Sequence, residues 1–270
     1  MTKRQRSYRT HAVTLRRRDY GDADRILTVF TPDAGKQELI AKGIRKTTSR
    51  KAGHLELFTH SALQIAQART WDIITEASTV ESFRHLRTDL DNIGRAAYIC
   101  ELIDRFTEAD DENRLLWDLL LLALRQLDEA SAPQASRTES EFDPDVLLRW
   151  FELRLLGVTG FQPQLFHCIG CGKALEPVRN YLSLEDGGVY CPACGAQQRD
   201  LEIIEPDALK VLRYLQSQSW PTVRALSVRP PIMRRVENIL HRYLLTILEY
   251  RLKSTDFLRR LQRENVRNDE

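Results

Sequence analysis

Long apolar runs are missing from this 270-residue chain. The greasiest stretch, Leu115 to Leu124, is broken by Asp118. Nothing approaches the ~20 consecutive apolar residues of a membrane helix. The N-terminus is basic but leads into no apolar segment, so the sequence predicts no signal peptide, no membrane partner and a cytoplasmic protein. Cysteine is scarce outside one place: four of the five lie between Cys168 and Cys194, and Cys100 stands alone. In a reducing compartment such a cluster points to metal rather than to a disulfide framework. Nucleotide and nucleophile motifs are also absent. Gly35-Lys36-Gln37 and Gly172-Lys173-Ala174 lack the rest of a phosphate-binding loop, and there is neither G-x-S-x-G nor H-E-x-x-H. Without a constellation that carries catalysis, the expectation is a protein that is not an enzyme.

What is present is ordinary in bulk and uneven in detail. Hydrophobic residues make up 42% and charged residues 29%, as in globular proteins generally. The length predicts two or three domains. Net charge is only +2, yet Met1 to His54 carries fourteen Lys and Arg against five Asp and Glu, a net of +9. The rest must then carry about −7, an asymmetry that points to a polyanion partner for the first segment.

The pattern divides near residue 82. Before it lie short runs rich in Val, Ile, Thr and Leu: HAVTLRRR, RILTVFTP, KQELIAKG, LELFTHSALQIAQA and WDIITEASTVES. Turn residues separate them. Five short strands in a basic segment fit a small closed barrel, an OB-fold or an SH3-like barrel. From Phe83 the apolar spacing becomes helical and places Cys100 on a core stripe. Further helices are predicted from Arg114 to Leu127, from Asp145 to Gly157, from Pro206 to Ser217, and after Pro230-Pro231. An acidic, Ser-rich link follows the second. The fold class is thus α+β, with a barrel over 1–82, a helical domain over 83–270 and a cysteine insert at about 164–200.

Cys168, Cys171, Cys191 and Cys194 form C-x2-C-x19-C-x2-C. Two knuckles presenting two thiolates each suit tetrahedral zinc, and four thiolates leave no open position for water. One structural Zn2+ is therefore expected. Gly172 and Gly195, each just after a pair, are expected to turn with positive φ. A zinc hydrolase or deaminase would need an open metal position. His54-Leu55-Glu56 reads His-x-Glu but lies far from the cysteines, and Pro192 falls inside the pair rather than before it.

Positive charge gathers in three stretches: the arm with Lys3, Arg4, Arg6 and Arg9; the triplet Arg16, Arg17 and Arg18; and the loop with Lys42, Arg45, Lys46, Arg50 and Lys51. Lys and Arg on phosphates give sequence-independent affinity. Tyr20 and Trp71, beside turns, are the best placed aromatics for base stacking, while Phe30 and Phe58 fit a core. An RNA-binding protein of the translation apparatus is an alternative that the same composition supports.

From Gly21 to Arg50 the sequence resembles the RecO family of bacterial recombination mediators. The residues that carry the resemblance are Gly21, Asp22, Asp24, Ile26, Phe30, Thr31, Gly35, Lys36, Ala41, Lys42, Gly43, Arg45, Lys46, Ser49 and Arg50, followed by Gly53, Leu55 and Phe58. The chain departs at Glu56-Leu57, where Gln-Pro is common in the family. Helices, a four-cysteine block and more helices repeat the family layout over the rest. The resemblance implies an OB-fold, a helical domain with a zinc finger, and binding of single- and double-stranded DNA. It implies annealing of complementary strands without ATP, association with RecR and with the C-terminal tail of single-stranded DNA-binding protein, and help in loading RecA at the nucleoid. The basic residues expected at DNA are Arg16, Arg17, Arg18, Lys42, Arg45, Lys46, Arg50 and Lys51.

Overall fold

A computed structural model of the chain describes residues 7–133 and 142–248. Lys3, Arg4 and Arg6 of the basic arm, the middle of the acidic link and the charged C-terminal stretch lie outside the described residues. The described residues form two compact units, one on each side of that link.

The first unit is a closed five-stranded barrel with two helices. Strands β1 (Ser7–Tyr20), β2 (Asp24–Thr31), β3 (Gly35–Ala41), β4 (His60–Ala66) and β5 (Asp72–Glu81) close in the order β1-β2-β3-β5-β4. This is the OB arrangement, with β3 and β5 as its parallel pair. Closure depends on the length of β1. Its first half pairs with β4 from Ser7 to Val13, and its second half pairs with β2 from Val13 to Tyr20. An irregularity between Thr14 and Arg16 marks the change of partner, as a bulge that bends a strand does.

Leu27, Val29, Leu39, Leu63, Ile65 and Ile74 fill the barrel. Val13, Leu15 and Phe30 are buried as well, so β1 and β2 do not alternate cleanly. Helix α1 (Leu90–Phe106) packs on β1 and against helix α2 (Arg114–Ser131), covering what would be the outer face. Cys100 is buried on α1. The loop between α1 and α2 docks on the β2–β3 hairpin. Asp110 N–H donates to the Lys36 carbonyl at 3.0 Å. A Cβ at Gly35 (φ +57°) would lie 1.8 Å from the Asp111 carbonyl oxygen. Gly35-Lys36 thus has a packing role. The fourth strand begins later than its apolar run, because Phe58 adopts φ 67° and its N–H donates to Thr14 O at 2.8 Å.

The second unit places the cysteine block among helices. Helix α3 (Pro144–Val158) precedes the block, and α5 (Pro206–Ser217), α6 (Trp220–Val223) and α7 (Pro230–Leu248) follow it. Helix α3 packs against all three, so this bundle is built from both flanks of the insert. The insert holds β6 (Asn180–Ser183), β7 (Gly188–Tyr190), the short helix α4 (Pro192–Gly195) and β8 (Glu202–Ile204). The strands form one sheet in the order β7-β6-β8. Leu182, Val189 and Ile204 are buried. Tyr190, Tyr181 and Ile203 pair across the three strands as one row. Among the described residues, no helix is long and apolar enough to cross a membrane.

Candidate functional site

The strand registers bring several loops to one end of the barrel. Tyr20 opposes Asp24, Arg25 opposes Ala41, Leu39 opposes Asp72, and Ala66 opposes Ile73. The β1–β2 turn, the β4–β5 turn and the start of the basic loop therefore share that end. The loop is held there by groups from the β1–β2 region. Asp24 Oδ1 accepts from Gly43 N–H at 2.7 Å, and Arg45 N–H donates to Ala23 O at 2.9 Å. Gly43 turns with φ +66°, a conformation that costs a glycine little.

The eight basic candidates differ in what they touch. Lys42, Lys46 and Arg50 are exposed and make no ion pair among the described residues. Arg45 lies 3.4 Å from Asp19 Oδ2 and donates to Gly21 O at 3.4 Å, so it ties the loop to the turn. Asp19 also accepts from Arg25 at 2.8 Å. The Arg25 hydrogen bond and the Arg45 charge hold its carboxyl below the usual range. Lys51 turns inward: its Nζ donates to Ile74 O at 2.7 Å, and burial pulls its pKa down.

The triplet is split between partners. Arg16 lies 3.3 Å from Asp104 and 3.8 Å from Glu38, Arg18 lies 3.7 Å from Glu38, and Arg17 pairs with Glu56. Such half-exposed pairs contribute only about 0–1 kcal/mol each, so a phosphate can replace the carboxylate at little cost. Arg18 also reaches Trp71, with its guanidinium carbon 5.7 Å from the ring centroid. Phe30 and Phe58 are buried. Tyr20 and Trp71 are brought together, with ring centroids 5.3 Å apart and planes at 72°.

The sequence reading missed Asp19 and Asp24 as anchors and Arg69 as an exposed cation of the β4–β5 turn. An aspartate on each side of Gly21 was the available signal, but the groups they hold in the basic loop, Arg45 and the Gly43 N–H, lie beyond β2 and β3 in the chain.

The second unit brings the four cysteines together. The sulfurs of Cys168, Cys171, Cys191 and Cys194 all lie within 4.8 Å of one another, and Cys171 and Cys191 are 3.9 Å apart. A tetrahedral Zn–S bond of 2.3 Å implies S···S edges of about 3.8 Å. The donor set and its spacing fit a metal such as zinc. Cys191 N–H points at Cys168 Sγ at 3.3 Å. Burial pushes the Cys168 thiol up, but backbone N–H groups of Cys191, Cys171 and Gly170 outweigh it and bring the pKa down to about 6. That is the environment of a thiolate ligand.

Each knuckle is closed by a backbone bond, from Gly172 N–H to Cys168 O and from Gly195 N–H to Cys191 O, both at 2.8 Å. Gly172 has the expected positive φ, +73°. Gly195 does not; a Cβ there would meet the Tyr181 ring at 2.4 Å. Glycine is needed at 195 for close approach, not for handedness. The hairpin that carries the second knuckle was also missed, although Asp186-Gly187 between apolar pairs is a hairpin signal. His54 sits in the first unit and bonds Thr79 Oγ1 at 2.8 Å; it is not a member of the cluster.

Comparison with known proteins covers nearly the whole chain. Residues 4–83 match the family described as recombination protein O N terminal, and residues 87–256 match recombination protein O C terminal. The DNA repair protein RecO of Roseiflexus sp. is 41% identical over 255 residues, spanning 94% of this chain and 86% of that protein. A Dehalococcoides mccartyi protein of the same name is 35% identical over 251 residues, 93% of this chain and 94% of its own. That of Desulforamulus reducens is 32% identical over 259 residues, 96% of each.

Proposed function

Because the chain belongs to the RecO family of non-enzymatic DNA repair and recombination proteins, we propose that it binds single- and double-stranded DNA at the loop end of its barrel and anneals complementary strands without ATP. The observation that carries this reading is the basic loop. Lys42, Lys46 and Arg50 project from a segment whose backbone is anchored by Asp24 and Ala23. Exposed cations on an ordered loop neutralise phosphate with little ordering cost. Two strands neutralised in this way repel each other less, and their bases can then find their complements.

The second unit serves as scaffold and partner surface in this proposal. Cys168, Cys171, Cys191 and Cys194 would hold one structural zinc, which closes the insert and does no chemistry on DNA. RecR, the tail of single-stranded DNA-binding protein and, indirectly, RecA are the partners that membership in the family suggests.

The test is fluorescence-monitored annealing of complementary strands without ATP over a salt series, with a Lys42→Ala/Lys46→Ala/Arg50→Ala variant beside the parent. The parent should accelerate annealing in a salt-sensitive way. The variant should bind both DNA forms more weakly, with a log–log salt slope lower by about 0.7–0.9 for each phosphate it no longer neutralises. Unchanged binding and slope in the variant would remove the loop from the DNA site.

A further inference from the structure

Beside the basic loop, the barrel end carries a feature that charge does not explain. Tyr20 is 44% exposed at the end of β1. Trp71, half-buried in the β4–β5 turn, meets it edge to face at 5.3 Å. Arg18 lies over the indole, and exposed Arg69 stands two residues before it. An edge-to-face aromatic pair is a rigid platform. It is built from the two turns that an OB-fold uses on oligonucleotides, and it is flanked by cations.

Resting on the reading that this end of the barrel meets DNA, we infer that the Tyr20–Trp71 ledge is a docking site for an unpaired nucleobase. The ledge, not the basic loop, then distinguishes single strands from duplex. A base within a duplex has both faces covered by its stacked neighbours, whereas an unpaired base offers a face to an aromatic ring. Phosphates are present in both forms, so Lys42, Lys46 and Arg50 grip either. Arg45, bonded to the Gly21 carbonyl and paired with Asp19, fixes the loop to the turn that carries Tyr20. One strand can therefore engage both features at once.

This arrangement has a consequence for annealing. When two held strands pair, their bases stack on each other and leave the ledge. The product keeps only its phosphate contacts, so it is held less tightly than either substrate. Pairing itself then promotes release.

The test compares Tyr20→Ala, Tyr20→Phe and Trp71→Ala with the parent on three ligands of equal length: a single strand, a duplex and an abasic single strand. Tyr20→Ala and Trp71→Ala are expected to weaken single-strand binding on the order of tenfold each, the usual size of one base–aromatic stack. Duplex affinity and both salt slopes should stay at the parent values. Tyr20→Phe should keep single-strand affinity, since the ring and not the hydroxyl is used. The parent should bind the abasic strand at least about tenfold more weakly than the normal one, a comparison that does not depend on how a variant folds.

Equal loss on single strand and duplex would overturn the ledge and leave it a support for the loop. So would full parental affinity for the abasic strand. Neither result disturbs the loop proposal, which fails only if the Lys42/Lys46/Arg50 variant binds normally.

Discussion

The basic loop and the cysteine block are both irregular segments rich in chemistry-bearing side chains, and they are held in opposite ways. The loop is fixed through its backbone: Gly43 N–H to Asp24, Arg45 N–H to Ala23 and Ser49 N–H to Lys46 O at 2.9 Å. Lys42, Lys46 and Arg50 are left facing solvent. In the block the reactive atoms face one another, with four sulfurs inside 4.8 Å. The loop needs no ligand to keep its shape, so its side chains are free for one. The block's side chains converge, so a ligand bound there is used up in keeping shape. Where the polar atoms point, more than which residues are present, separates a working segment from a holding one.

Metal removal is the largest expected break in this comparison. Structural zinc supplies roughly 10–16 kcal/mol of apparent binding energy, and that energy is folding energy. Chelation, or Cys168→Ser, should abolish hydrogen-exchange protection at Gly172, Ile169 and Gly195, whose amides bond within the block. Amides of β1 to β4 should keep theirs, and DNA affinity should hold. A fall in DNA affinity in step with metal loss would show that the block works as well as holds.

A smaller effect tests the loop's anchor, and its sign is informative. Asp24 places a negative charge beside the proposed polyanion site and also accepts from Gly43 N–H at 2.7 Å. Removing the charge alone should tighten DNA binding. Removing the acceptor should loosen the loop and weaken binding, by about tenfold or more if a hydrogen bond to a charged group is lost. Asp24→Asn keeps an acceptor and should bind at least as tightly as the parent. Asp24→Ala should bind more weakly. If both variants bind more tightly, the loop does not depend on that anchor.

The sequence made the barrel legible because five apolar runs separated by turn residues leave few alternatives. It did not show that both faces of β1 are covered. That burial comes from α1, about 80 residues later, and strand alternation carries no information about a helix. It placed the start of α5 at Pro206 because proline at the first helical position is a local signal. The four cysteines were legible for a similar reason, since each knuckle is two ligands three residues apart. Loop cations are harder. Composition marks Lys42, Arg45, Lys46, Arg50 and Lys51 alike, yet Arg45 is occupied by Asp19 and Lys51 by the Ile74 carbonyl. Which cation is free depends on pairings that only the closed barrel creates.

The smallest effect concerns a holding device inside the working unit. His60 Nδ1 meets Glu81 at 2.9 Å, and His60 Nε2 meets His11 Nδ1 at 2.9 Å. Glu81 is gripped from α2 by Arg125 at 2.8 and 2.9 Å. With Glu81 ionised, neutral His60 donates to it from Nδ1 and accepts from His11 N–H at Nε2. Burial holds the His60 pKa below its usual 6.5 against the pull of Glu81. The Arg125 hydrogen bond, opposed by burial and joined by that of His60, lowers Glu81 from 4.5. The unfolded chain therefore binds more protons than the folded one at both sites. Stability is full above pH 6.5 and falls as pH drops through the folded pKa of His60, then falls again below 4.5 as Glu81 is neutralised. The urea midpoint of the first unit's unfolding should decline from pH 7 to pH 5, and His60→Gln should flatten that decline. DNA affinity per folded molecule should stay level across the same range. A parallel drop in affinity would mean that the relay reaches the loop, and that holding and working are not separate within the barrel.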